Sequence, residues 1–132
     1  MGVGHVPTGT IRQERQGHDV PRCQHRGTRA DLGSLGEQIA ADFLSARGAL
    51  ILERNTRIGR GELDLIVSID GERVAVEVKT GSGDNDPIFN FDSAKQQQVR
   101  SLASARGIAR VDYVGISTSG RGVTVRWLPR VC

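Results

Sequence analysis

Two acidic residues and a lysine, Asp64, Glu77 and Lys79, are spaced so that one short hairpin would bring them together. Between two alternating runs, Glu62 to Ile69 and Val74 to Val78, stands Asp70-Gly71, the pair that a two-residue hairpin turn prefers. Counting back from that turn, Leu65 faces Val76 and Val67 faces Val74 on an apolar side, while Asp64 faces Glu77 and Glu62 faces Lys79 on the other. A slip of one residue would send every side chain to the wrong face, so the alternation itself specifies the register. Like charges directly opposed on a sheet, about 4.5–5.5 Å apart at Cβ, destabilise it unless a positive charge lies between them. Mg²⁺ or Mn²⁺ would answer that need, because hard cations take carboxylate oxygens and complete their shell with water and substrate phosphate. Lys79, two residues on, would then orient a water or stabilise charge growing on phosphorus. The chemistry in view is metal-assisted attack of water on a phosphate.

The same residues also read as an ordinary amphipathic hairpin with a solvated second face and a Glu62–Lys79 ion pair of little energetic weight. Ile66 and Ala75 favour the first reading, since they set apolar side chains beside the carboxylates, as in a partly covered cleft. Glu37 belongs to Ser34-x-x-Glu37, the form of a helix capping box, and is at the same time a candidate further acidic group. Arg57 and Arg60 precede the hairpin and either grip phosphates or are solvated. Lys95 falls in the first turn of a second helix, where the helix dipole disfavours cations and a phosphate partner would explain it. Arg57, Lys95 and Glu62 are the positions assigned to a nucleic-acid partner.

The elements that must carry these residues follow from periodicity. From Ser34, Leu35, Ile39 and Phe43 recur at spacing four, Ala40 and Leu44 flank them, and Gly48 ends the helix. Ala49 to Leu52 reads as a short strand and Asn55 to Gly61 as a loop holding Arg57 and Arg60. After the hairpin comes a Gly, Asp and Asn-rich loop, Gly81 to Asp92, and then Ser93-x-x-Gln96 opens a helix to about Arg106. Val111 to Ser117 and Val123 to Leu128 alternate around Ser119-Gly120 and close the chain. Helix, three strands, helix, two strands is an α/β order.

With 132 residues the chain makes one domain, with a core large enough to fold without disulfides or metals. No apolar run is long enough to span a membrane, and no secretory leader is visible, so a soluble, cytoplasmic protein is expected. The net charge of +3 sits in residues 1–30, which hold Arg12, Arg15, Arg22, Arg26 and Arg29 against Glu14 and Asp19. That arm lacks any period and reads as a disordered basic extension, leaving residues 31–132 as a formally neutral domain. Cys23 and Cys132 read as reduced thiols, and His5, His18 and His25 are confined to the arm, which argues against a histidine or zinc site. Aromatics amount to 4%, and Phe43, Tyr113 and Trp127 fall in core runs, so a base-stacking platform for single strands is not expected.

Gly36-Glu37, Asn55, Gly61-Glu62-Leu63-Asp64-Leu65-Ile66, Val76-Glu77-Val78-Lys79-Thr80, Lys95 and Asp112 together resemble the YraN family of bacterial proteins, over roughly residues 31 to 128. That family is similar to the restriction-endonuclease-like superfamily of PD-(D/E)xK nucleases, archaeal Holliday junction resolvases among them. The resemblance implies a restriction-endonuclease-like α/β fold with a central mixed β-sheet of about five strands flanked by α-helices. It implies Asp64 and Glu77 as ligands of Mg²⁺ or Mn²⁺, Glu37 as a further acidic ligand, Lys79 as the catalytic lysine, and DNA, branched or damaged, as substrate. Gly81 stands where the family usually has arginine. A symmetric junction would suit a homodimer. A nucleic-acid-binding or accessory module without catalysis, and an RNA-processing nuclease, are the alternative readings.

Overall fold

A computed structural model describes residues 29–82 and 91–131. The expectations for the arm up to residue 28, with Cys23 and the three histidines, for residues 83–90 and for Cys132 lie outside the described residues. Among the described residues the elements run α1 (Arg29–Ser45), β1 (Leu50–Ile58), β2 (Gly61–Ile69), β3 (Glu72–Ser82), α2 (Ser93–Ala105), β4 (Arg110–Ser119) and β5 (Gly122–Leu128).

The expected hairpin forms as its turn residues demand. Asp70 and Gly71 both take positive φ, 51° and 81°, the conformation whose twist matches that of the flanking strands. Leu65 then pairs with Val76, Val67 with Val74 and Ile69 with Glu72, the register counted from the sequence. The five strands form one sheet in sequence order, β1-β2-β3-β4-β5. Every neighbouring pair is antiparallel except β3 and β4, which are parallel and need the crossover that α2 supplies. The result is the expected α/β fold, a five-stranded mixed sheet with one helix on each face.

Alternation decides which helix each strand residue meets. Leu65, Val67, Val74, Val76, Val78, Val114 and Ile116 pack with Ala40, Phe43 and Leu44 of α1. Ile66, Ala75, Val111 and Tyr113 pack with Val99 and Ala103 of α2. The face read from sequence as polar is therefore half apolar, because a helix covers it. Leu63 departs from the expected alternation: it joins the α2 side, although Leu65 and Val67 are on the α1 side. The β2–β3 pairing extends only from Ile69 to Leu65, and β2 changes its buried side where that ladder ends.

Several boundaries differ from the sequence reading. β3 runs on to Ser82, paired with β4, so Gly81 and Ser82 lie in a strand and not in the expected loop. β1 does not stop at Leu52 but runs on to Ile58, so Asn55 and Arg57 lie in a strand and only Gly59-Arg60 turns. Pairing with the open edge of β2 outweighs the loop composition of this stretch. The register shift between Ile51 and Glu53 and the positive φ of Asn55, 49°, absorb the irregularity. α1 begins at Arg29, five residues before Ser34, so Ser34-x-x-Glu37 lies inside the helix and is no capping box. α2 is capped by Asp92, whose side chain accepts the Lys95 N–H at 2.9 Å, and not by Ser93.

The buried stripe of α1 is also displaced. Leu35, expected inside, is 54% exposed, while Gly36 and Ala40 face the sheet. A Cβ on Gly36 would come within 2.1 Å of Thr80 Oγ1 on β3, so the missing side chain is what lets the helix backbone approach the sheet. Gly36→Ala should therefore lower stability by about 1–3 kcal/mol through overpacking. Urea unfolding checks this, and an unchanged midpoint would contradict it. Among the described residues no helix is long and apolar enough to cross a membrane.

Candidate metal centre

The end of the β2–β3 ladder is where the carboxylates collect. One position beyond the last pair of the ladder, Leu65 and Val76, the Asp64 side chain takes over: its Oδ2 accepts the backbone N–H of Val78 at 2.9 Å. Glu77, next to Val78, is 4% exposed, and its carboxyl is in hydrogen-bond contact with that of Asp64. The expected opposition of Asp64 and Glu77 is thus realised as a side-chain contact where the strands part.

Two like charges in so dry a place hold protons strongly. Burial, and then the charge of Asp64, push the Glu77 carboxyl up to about 7, with Lys95 opposing. Burial also raises Asp64, against the opposing pull of the Val78 N–H, Glu77 and Lys95. Glu37 reaches the same cluster from α1. Its carboxyl is raised by burial and then by Asp64, while a hydrogen bond from the Asn55 side chain works the other way. Free of any capping duty, Glu37 points toward Asn55 and Asp64.

The lysines are arranged differently from the sequence expectation. Lys95 Nζ, from the first turn of α2, lies 3.4 Å from Glu77 Oε1 and forms the ion pair of the site. Several contacts hold that turn in place. Asp92 caps it, Gln96 Nε2 donates to the Phe91 carbonyl at 3.0 Å, and the Phe91 ring stacks on Tyr113 at 4.5 Å. Lys79 follows Glu77 on the same face of β3, half-buried and level with Gly115 of β4. The expected pairing of Glu62 with Lys79 is not found. Glu62 instead lies opposite Arg57 across β1 and β2, both side chains exposed, because β1 extends past them. The negative charge of Glu62 still reaches Glu37 and Asp64.

The structure thus gathers Glu37, Glu62, Asp64, Glu77 and Lys95, with Lys79 two residues further along β3 and Arg57 across from Glu62. Asn55 as the partner of Glu37 was not legible as such, since an Asn at positive φ in an edge strand has the composition of a loop. Among the described residues no three Asp, Glu, His or Cys side chains already converge as a cation cage. The donor set is the buried Glu77 with the half-buried Asp64 and Glu37 alongside, all hard oxygens, which suits Mg²⁺ or Mn²⁺ bound through one or two carboxylates with water completing the shell.

The chain is similar to known proteins over most of this domain. The model of a family described as "Uncharacterised protein family UPF0102" matches residues 36–116. A UPF0102 protein of Clavibacter michiganensis is 42% identical over 96 residues, which cover 65% of this chain and 81% of that protein. One of Thermotoga maritima is 38% identical over 91 residues, covering 64% and 84%. One of Mycolicibacterium smegmatis is 52% identical over 104 residues, covering 67% and 82%. Among solved structures, SfsA of Pyrococcus furiosus in complex with Ca²⁺ is similar at 14% identity and a TM-score of 0.34, over 74% of this chain and 62% of that one.

Proposed function

The chain belongs to the uncharacterised protein family UPF0102, and from that premise we propose that it is a metal-dependent nuclease that hydrolyses phosphodiester bonds in DNA. One observation carries the reading: at a parting of two strands the buried Glu77 meets the half-buried Asp64, with the Lys95 ammonium 3.4 Å from Glu77 and Lys79 two residues further along β3. Burying such a pair is costly without a compensating positive charge, and sites of that kind are where chemistry is done. The resemblance of Asp64, Glu77 and Lys79 to the PD-(D/E)xK signature points the same way.

In this reading Asp64 and Glu77 hold Mg²⁺ or Mn²⁺, with Glu37 as a further acidic ligand. The bound ion would supply Lewis acidity toward a phosphate oxygen and lower the pKa of its water. Lys79, on the Glu77 face of β3, orients the attacking water and stabilises the negative charge that grows on the phosphorus oxygens. Arg57, on the outer strand, binds the phosphate backbone away from the reacting bond. Leu63, Ile66 and Ala75, the chain neighbours of the two acidic strand segments, are buried in the core on the α2 side and keep bulk water from that flank of the site.

Cleavage of labelled duplex, single-stranded, flap and four-way-junction DNA with Mn²⁺, comparing the wild type with Glu77→Ala, tests this. The wild type should cut at least one of the four, and the variant none. Cleavage retained in Glu77→Ala, or no cleavage by the wild type on any substrate, would overturn the reading. DNA bound but never cut would instead favour a binding module.

A further inference from the structure

The positive charge next to the carboxylate pair is already present in the chain. Lys95 Nζ stands 3.4 Å from Glu77 Oε1, and its charge also acts on Asp64. The Glu77 side chain is 6% exposed and that of Lys95 32%, so the ammonium approaches the pair from the solvent side. It occupies this position against its local preference. Lys95 is in the first turn of α2, three residues after the Asp92 cap, where the N-terminal end of the helix repels a cation. The surroundings compensate: the turn is tied down by Asp92 and Gln96, and the side chain reaches a carboxylate that has no other oppositely charged partner among the described residues. Lysine suits the role, since its ammonium is a compact charge on a flexible four-carbon stem and can leave without moving the helix.

We infer that Lys95 is the built-in counter-ion of the metal-free site, and that a divalent cation must displace it from Glu77 in order to bind. This rests on the metal-site reading above. Lys95 then sets the metal affinity: it keeps the pair neutralised when the ion is absent and competes with the ion when it is present. Once displaced, the ammonium remains on its stem at the solvent edge of the site, on the side from which a phosphodiester approaches.

The test is isothermal titration of the full chain with Mn²⁺ alone, using the wild type, Lys95→Met, Lys95→Arg and Glu77→Gln, with a thermal melt of each to verify folding. Lys95→Met should bind Mn²⁺ about tenfold more tightly than the wild type, equivalent to about 1.4 kcal/mol. It should also melt lower without metal and gain more on adding it. Lys95→Arg, which keeps the charge, should stay near the wild type, and Glu77→Gln should lose binding. A folded Lys95→Met that binds no tighter than the wild type overturns the counter-ion role while leaving the metal site standing. Absence of Mn²⁺ binding in the wild type and in both Lys95 variants overturns the metal site itself and the inference with it.

Discussion

Asp112→Ala should cost about 3–5 kcal/mol of stability, the range for removing one partner of a buried ion pair and leaving the other. Asp112 is fully buried in β4, and all of its hydrogen-bonding capacity is engaged. Oδ1 accepts from Arg110 Nε and from the Arg130 backbone N–H, each at 2.9 Å. Oδ2 accepts from Arg110 Nη2 at 3.0 Å and from the Trp127 indole at 2.9 Å. One carboxylate thus joins β4 to β5 and to the chain after it, where Arg130 takes φ 53° and the Val131 N–H donates to the Val111 carbonyl. Alanine would leave an indole N–H and a backbone N–H without their acceptor, and a guanidinium only 11% exposed with Glu72, 3.7 Å away, as its remaining partner. Asp112→Asn keeps the volume and one acceptor oxygen and should lose less. Urea unfolding decides: a loss below about 1 kcal/mol for Asp112→Ala, the worth of an ordinary hydrogen bond, would contradict the assignment.

The second large effect is on pH dependence. The Glu77 carboxyl is raised from 4.5 to about 7 in the folded chain. A group that holds its proton more tightly when folded favours the folded state at low pH, and that advantage is lost as pH rises to the folded value. The metal-free protein should therefore lose stability between about pH 4.5 and about pH 7, by up to about 3 kcal/mol from this residue, with little change from it above. Asp64 and Glu37 are shifted in the same direction. Glu77→Gln removes the Glu77 titration and relieves Asp64 of its neighbour, so subtracting its stability from that of the wild type isolates the contribution of the coupled pair. The wild type should be the less stable of the two at pH 8, and the gap should narrow or reverse at pH 5. A difference that is flat across this window, or that runs the other way, would show that Glu77 is not buried beside a second carboxylate. Mn²⁺ should restore more stability at pH 8 than at pH 5, because a proton and the ion compete for the same oxygens.

The features readable from the sequence are those encoded within a few residues of one another. Asp70-Gly71 dictates a turn with two positive φ values, and the valines and leucines around it, through strict alternation, set the pairing of Leu65 with Val76. From that register alone the opposition of Asp64 and Glu77 follows, and with it the idea of a cation. The order of elements, and hence an α/β sheet, is equally local, since each element carries its own period.

What the sequence left open concerns residues whose neighbours lie far along the chain. Ser34-x-x-Glu37 has the form of a cap, but α1 starts at Arg29 and Glu37 turns to Asn55 and Asp64. Arg57 and Asn55 have the composition of a loop, but the open edge of β2 draws them into a strand. Lys95 looks like a solvent-facing lysine awaiting phosphate, but the cap at Asp92 and the stacking of Phe91 on Tyr113 bring it to Glu77. Backbone preference and side-chain alternation act between near neighbours and so are written in the sequence itself. Which charges share a buried site depends on how two helices settle on opposite faces of a sheet, and that is decided only when the whole core packs.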